Sequence, residues 1–150
     1  MKERILKSNY YKNYKSQLTI LLVALLFVIV IPILFAITLF ASDQLGTSDI
    51  GKLILFLLLV PLACFSPGLI YFGYKLLFVK INVNKFKLYT GTIQDINTPV
   101  YFRSNYRDVS IQIENTYLHH SKVFKGELYD EIHKGMEVEV AVYQDIVIII

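Results

Sequence analysis

Two long stretches without a single charged residue constrain this chain more than any other feature. Leu18 to Ala41 contains eighteen Leu, Ile, Val or Phe, and Leu53 to Tyr74 is equally free of charge. Each matches or exceeds the roughly 20 residues a helix needs to cross a hydrocarbon core of about 30 Å. A buried helix of a water-soluble protein usually stops after about 10 to 14 apolar residues, and a signal-peptide core after about 7 to 15. At the end of the first run, the pair Leu39 and Ala41 lacks the two small residues of a cleavage site. Both stretches therefore read as retained membrane helices, at 18–41 and 53–78, joined by a loop at 42–52.

Orientation follows from the basic residues. Lys2, Arg4, Lys7, Lys12 and Lys15 precede the first span, only Lys52 lies in the loop, and Lys75, Lys80, Lys85 and Lys87 follow the second. Basic residues stay on the cytoplasmic side of a membrane, so both ends are expected there, in a cell membrane, with the loop outside. Tyr10, Tyr11, Tyr14, Tyr71 and Tyr74 are expected at the same headgroup level. Residues 1–17 read as a basic cytosolic segment and 79–87, "VKINVNKFK", as an extended basic connector. Lys7, Lys12, Lys15, Lys80, Lys85 and Lys87 are then the lipid-headgroup contacts, each attracting anionic lipid by about 1 kcal/mol.

Pro32, Pro61 and Pro67 interrupt the spans, each removing a backbone donor and crowding the carbonyl four residues earlier. Kinks are expected, with neighbouring helices and hydroxyls satisfying the freed groups; the alternative is a hinge or binding site lined by Ser66 and the freed carbonyls. Neither uncharged run, Leu18 to Ala41 or Leu53 to Tyr74, holds the Asp, Glu, Lys, Arg or His that ion pathways and proton relays need. Small residues at Ala63, Cys64, Ser66 and Gly68 invite close approach by another helix, from this chain or a second copy. Cys64 is the only cysteine, so an intramolecular disulfide is impossible.

Residues 88–150 follow different rules. Val109, Ile111 and Ile113 alternate with polar neighbours, as do Met136, Val138, Val140 and Val142, the period of half-buried strands. Gly91 marks a bulge or bend, Asn115 and Gln144–Asp145 mark turns, and "GELYDEIH" reads as a short helix ended by Gly135. The closing "IVIII" is apolar on both faces and requires cover on both. Five short strands with a brief helix before the last two predict a small all-β barrel, OB-like or SH3-like. The expected fold is a membrane α-helical hairpin followed by that barrel.

The ending "EIHKGMEVEVAVYQDIVII" resembles the close of the C-terminal barrel in NfeD-like membrane proteins, whose short members also place membrane helices before an OB-fold domain. The resemblance covers about twenty residues. It implies a non-catalytic domain whose partner is a stomatin-like membrane protein.

No constellation for catalysis, cofactor or metal is expected. His119 and His120 are neighbours on a strand and point to opposite faces, and His133 stands apart. Gly91, Gly126 and Gly135 form no phosphate loop, and Ser104, Ser110 and Ser121 lie outside any nucleophile elbow. Glu137 and Glu139 share one strand face and read as solvating. Residues 88–150 carry five basic side chains against nine acidic ones, which argues against nucleic acid. A protein partner is expected instead, at the loop "NTPVYFRSNYRDV", where Tyr101, Phe102, Arg103, Tyr106 and Arg107 have the composition of interface anchors. The chain thus reads as a non-enzymatic adaptor or regulatory subunit. The alternatives are an immunity protein against a secreted toxin and an accessory subunit of a membrane enzyme or transporter complex.

Overall fold

A computed structural model describes residues 1–41, 47–97, 105–114, 117–126 and 128–150. Its helices are α1 (Lys2–Lys7), α2 (Asn9–Ala41) and α3 (Thr47–Asn82), the last followed by a 3-10 turn (Val83–Lys85). Strands β1 (Lys87–Asn97), β2 (Tyr106–Ile113), β3 (Tyr117–Phe124), β4 (Glu137–Tyr143) and β5 (Ile146–Ile149) complete the chain. Two units result: Lys15–Lys75, and Met1–Tyr14 together with Leu76–Ile150.

The first unit is helical and apolar on every side. Phe35 is 64% exposed and Ile70 69%, and the two helices are long and apolar enough to cross a membrane. In water each such side chain would forfeit about 1.5–3 kcal/mol relative to burial, a cost that hydrocarbon surroundings remove. The helices run on through Pro32, Pro61 and Pro67. Pro67 cannot donate to the carbonyl of Ala63, four residues back, and the Ser66 hydroxyl donates to it instead at 3.0 Å. Of the four small residues, Ala63 and Cys64 are exposed, while Gly68 meets α2. A Cβ there would stand 3.0 Å from Leu21 Cδ1, so the missing side chain is what lets Leu21 seat.

The second unit is a barrel. All pairings are antiparallel, in the order β3-β2-β1-β4-β5. Three consecutive strands with the fourth returning beside the first make a Greek key. The ends of the sheet approach each other, and the buried Ser121 hydroxyl on β3 donates to the Val147 carbonyl on β5 at 2.7 Å, nearly closing the barrel. Inside lie Ile93, Val109, Ile111, Ile113, Val123, Val138, Val140 and Val147. The expected alternation in β2 and β4 is therefore the interior lining.

The two-sided "IVIII" is covered on both sides, as its composition demands. Val147 packs inward, whereas Ile148 points outward into a second cluster with Ile5, Val79, Val83, Phe86 and Ala141. Ile5 and Ile148 are both 0% exposed. This outer cluster corrects two expectations. Residues 79–87 are not an extended connector: α3 runs to Asn82, because Val79, Val83 and Phe86 fall at helical spacing and bury together. Nor is the basic segment 1–17 wholly solvated, since Ile5 anchors α1 to the barrel and Arg4 pairs with Glu139 on β4. Whichever compartment holds the barrel also holds α1.

Two further corrections concern the strands. The bulge in β1 falls at Gln94, between Ile93 and Asp95, and not at Gly91. Gly91 is needed for close approach, because a Cβ there would lie 2.5 Å from Ile111 Cγ2. The segment "GELYDEIH" forms turns rather than a helix among its described residues, held by Tyr129 N–H to Gly126 O and Ile132 N–H to Leu128 O, both 3.0 Å. Burying Tyr129 and Ile132 against the barrel outweighs helix propensity in so short a run. Gly135 then turns with φ +86°, and Gln144 turns with φ 53° where a turn is expected. Glu114 has φ 50° at the end of β2, and Asn115 lies outside the described residues.

Candidate functional site

Of the five expected interface residues, Tyr101, Phe102 and Arg103 lie outside the described residues, while Tyr106 and Arg107 begin β2 instead of belonging to a loop. Arg107 shares the inward parity of Val109, Ile111 and Ile113. Its guanidinium carbon stands 4.5 Å from the centre of the Tyr129 ring, and its buried Nε has no hydrogen-bond partner among the described residues. Arg107 is thus half-buried against Tyr129 at the start of β2. Tyr106 faces the other way, opposite Phe124 with ring centres 6.0 Å apart, and the Lys122 ammonium lies 4.3 Å from its ring centre.

That outer patch continues into the first fourteen residues. Ser8 breaks the helix with ψ 151°, which separates α1 from α2. Its hydroxyl donates to Ile5 O at 2.6 Å and accepts from Tyr11 N–H at 3.3 Å, the role of an N-cap. The turn so fixed directs Tyr10 and Tyr14 onto the barrel: Phe124 lies 6.1 Å from the Tyr10 ring and 5.8 Å from that of Tyr14. Tyr14 is buried and Tyr10 half-buried in these contacts. Asn9 lies against Gly126, where a Cβ would come within 2.3 Å of Asn9 Nδ2.

Between these pieces is an open cleft of about 250 Å³. Arg4, Lys7, Ser8, Asn9 and Lys12 form one wall and Lys122 and Phe124 of β3 the other, with Leu128 and Ile149 adding apolar surface. Of the six lysines expected at lipid headgroups, two line this cleft. Lys7 and Lys12 join Arg4 and Lys122 here, while Lys80, Lys85 and Lys87 line none of the cleft and Lys15 belongs to the helical unit. Lys85 instead sits 5.8 Å from the Tyr143 ring centre, and Lys7 lies 3.5 Å from Glu3. Sequence reasoning passes over Arg4 and Lys122. The available signal is Ile5–Leu6, an apolar pair inside a charged hexapeptide followed by a capping serine, which marks a docked helix.

The remaining polar groups are dispersed. His120 Nδ1 lies 3.2 Å from Ser110 Oγ, His133 Nδ1 lies 3.2 Å from Lys134 O, and no group of three metal-ligating residues exists among the described residues. Gln94 donates to Gln112 across β1 and β2 at 2.7 Å. Glu139, expected only to solvate, holds Arg4.

Together these features define a class: a two-helix apolar unit in one chain with a small Greek-key barrel that carries a basic, aromatic cleft. No protein-family model, curated protein or solved structure matches the chain.

Proposed function

We propose that this chain is a non-enzymatic, membrane-anchored adaptor or regulatory subunit. Its two helices cross the cell membrane with residues 42–52 outside, and its barrel binds a protein partner in the cytoplasm. The observation that carries this reading is the division of apolar surface. The barrel closes its own core, while α2 and α3 keep large side chains exposed over their length. The docked α1 supports a common compartment for both ends, and the bias of basic residues supports the cytoplasm as that compartment.

Within this reading the barrel is of the OB type, on the strength of its Greek-key order and the approach of β5 to β3. Barrels of that type bind ligands over strands 2 and 3 and the loop between strands 1 and 2. In this chain that loop contains Tyr101, Phe102 and Arg103, and Tyr106 stands at its end. The NfeD-like resemblance of the last residues makes a stomatin-like membrane protein the first partner to test.

The test is site-specific photocrosslinking in native membranes, with the reactive side chain at Tyr101, Phe102 or Tyr106 and a control at Thr92. One discrete protein adduct from the first three positions is expected, absent from the control. If all four positions give no protein adduct, the binding surface is misplaced. A captured secreted toxin would replace the adaptor with the immunity reading.

A further inference from the structure

Residues 88–150 hold nine carboxylates against five basic side chains. Among the described residues no carboxylate side chain lines the cleft beside β3, whereas Arg4, Lys7, Lys12 and Lys122 all do. Three of these come from the first twelve residues and the fourth from a distant strand, so folding and not a basic run in the sequence assembles the group. Four exposed cations around one space give it a positive potential that attracts an anion. The counter-charges present are weak ones: Glu3 beside Lys7 and Glu139 beside Arg4 are exposed or half-exposed pairs. Among the described residues no carboxylate comes within ion-pair distance of Lys12 or Lys122.

The rest of the lining says what kind of anion fits. Phe124, Leu128 and Ile149 present apolar surface, so the cleft offers cations on one side and hydrocarbon contact on the other. Compact phosphate oxygens suit the ammonium and guanidinium donors, and an attached apolar chain suits the remainder. Lys12 also stands only six residues ahead of Leu18, where the uncharged run begins.

We infer that this cleft is a phosphate site that takes the headgroup of an acidic phospholipid. The inference rests on the proposed membrane reading only for the source of the phosphate. It goes beyond a diffuse lysine belt by requiring Lys122 of the barrel and by leaving Lys80, Lys85 and Lys87 out.

The experiment uses the full chain, delipidated in a non-ionic detergent. Dihexanoyl phosphatidic acid, dihexanoyl phosphatidylcholine and inorganic phosphate serve as separate probes, read by native mass spectrometry. One phosphatidic acid molecule is expected to be retained, at least tenfold more tightly than phosphatidylcholine or phosphate. The triple variant Lys7→Gln, Lys12→Gln, Lys122→Gln is expected to weaken it at least tenfold. A matched variant, Lys80→Gln, Lys85→Gln, Lys87→Gln, removes the same charge and is expected to stay within twofold. Arg4 is left in place because it ties α1 to Glu139, and Lys122→Gln alone gives a milder second test. Amide exchange of the barrel confirms that each variant is folded. Equal weakening by the two triple variants, or no retention by the unmodified chain, overturns the site. Inorganic phosphate held as tightly, and lost in the same triple variant, overturns the lipid as its source. Because these lipids are soluble and detergent replaces the bilayer, failure here is distinguishable from failure of the membrane topology.

Discussion

Replacing Ile5 by Ala tests whether α1 belongs to the barrel. A six-residue helix does not persist alone, so its order depends on docking. Besides the half-buried Leu6, two contacts supply that docking: Ile5, fully buried among Val79, Val83, Phe86, Ala141 and Ile148, and the Arg4–Glu139 pair, whose side chains are 50% and 55% exposed. Truncating a buried Ile to Ala costs about 2–5 kcal/mol, toward the lower end where neighbours can close the gap. At the edge of the unit about 2–3 kcal/mol is expected. A half-exposed ion pair contributes about 0–1 kcal/mol. With tenfold per 1.4 kcal/mol, Ile5→Ala should speed exchange of the Ile5 and Ser8 amides by about 30- to 150-fold, and Arg4→Gln by about fivefold at most. Those amides are the reporters because they bond to Met1 O and Ile5 O. Hydrogen exchange read by mass spectrometry on the full chain in detergent measures both, with Leu22→Ala in the helical unit as a control that leaves them unchanged. If Arg4→Gln equals or exceeds Ile5→Ala, burial is not what holds α1, and the outer cluster is misjudged.

Three further outcomes follow from the barrel. Gly91→Ala places a methyl group 2.5 Å from Ile111 Cγ2 and 3.2 Å from Gln112 O, and should destabilise the barrel by about 1–3 kcal/mol, seen as faster exchange throughout β1 and β2. Ser121→Ala removes the donor to Val147 O and should cost about 1–3 kcal/mol, with the fastest exchange in β5, where the barrel closes. Arg107→Met keeps the contact with Tyr129 but removes a buried Nε that has no partner among the described residues, so stability should change by less than about 1 kcal/mol, whereas an interface anchor at this position would lose partner crosslinking.

The parts of this architecture that are legible in the sequence are those with long or strict periods. The uncharged run from Leu18 to Ala41 reads as one long helix, as observed, and the alternation in Val109–Ile113 and Met136–Val142 fixes which faces turn inward. Short mixed segments are less legible. "VKINVNKFK" fits a two-residue period through Val79, Ile81 and Val83, and equally a helical one through Val79, Val83 and Phe86; only the apolar outer face of β5 decides for the helix. The same applies to "GELYDEIH", where burial of Tyr129 and Ile132 overrides local propensity. The cleft is hidden for a different reason. Arg4 and Lys122 are far apart in the chain, and each looks like an ordinary solvated charge until the turn at Ser8 and the β2–β3 pairing bring them to one space.

The most direct test of the account uses single cysteines in a Cys64→Ser background, at Lys2, Gln44 and Lys134, probed with a membrane-impermeant maleimide. In sealed cells only the cysteine at position 44 should react, and in inverted vesicles only those at positions 2 and 134. Labelling of positions 2 and 134 from opposite sides would contradict the docked α1, and labelling of all three from one side would contradict a pair of helices that crosses the membrane.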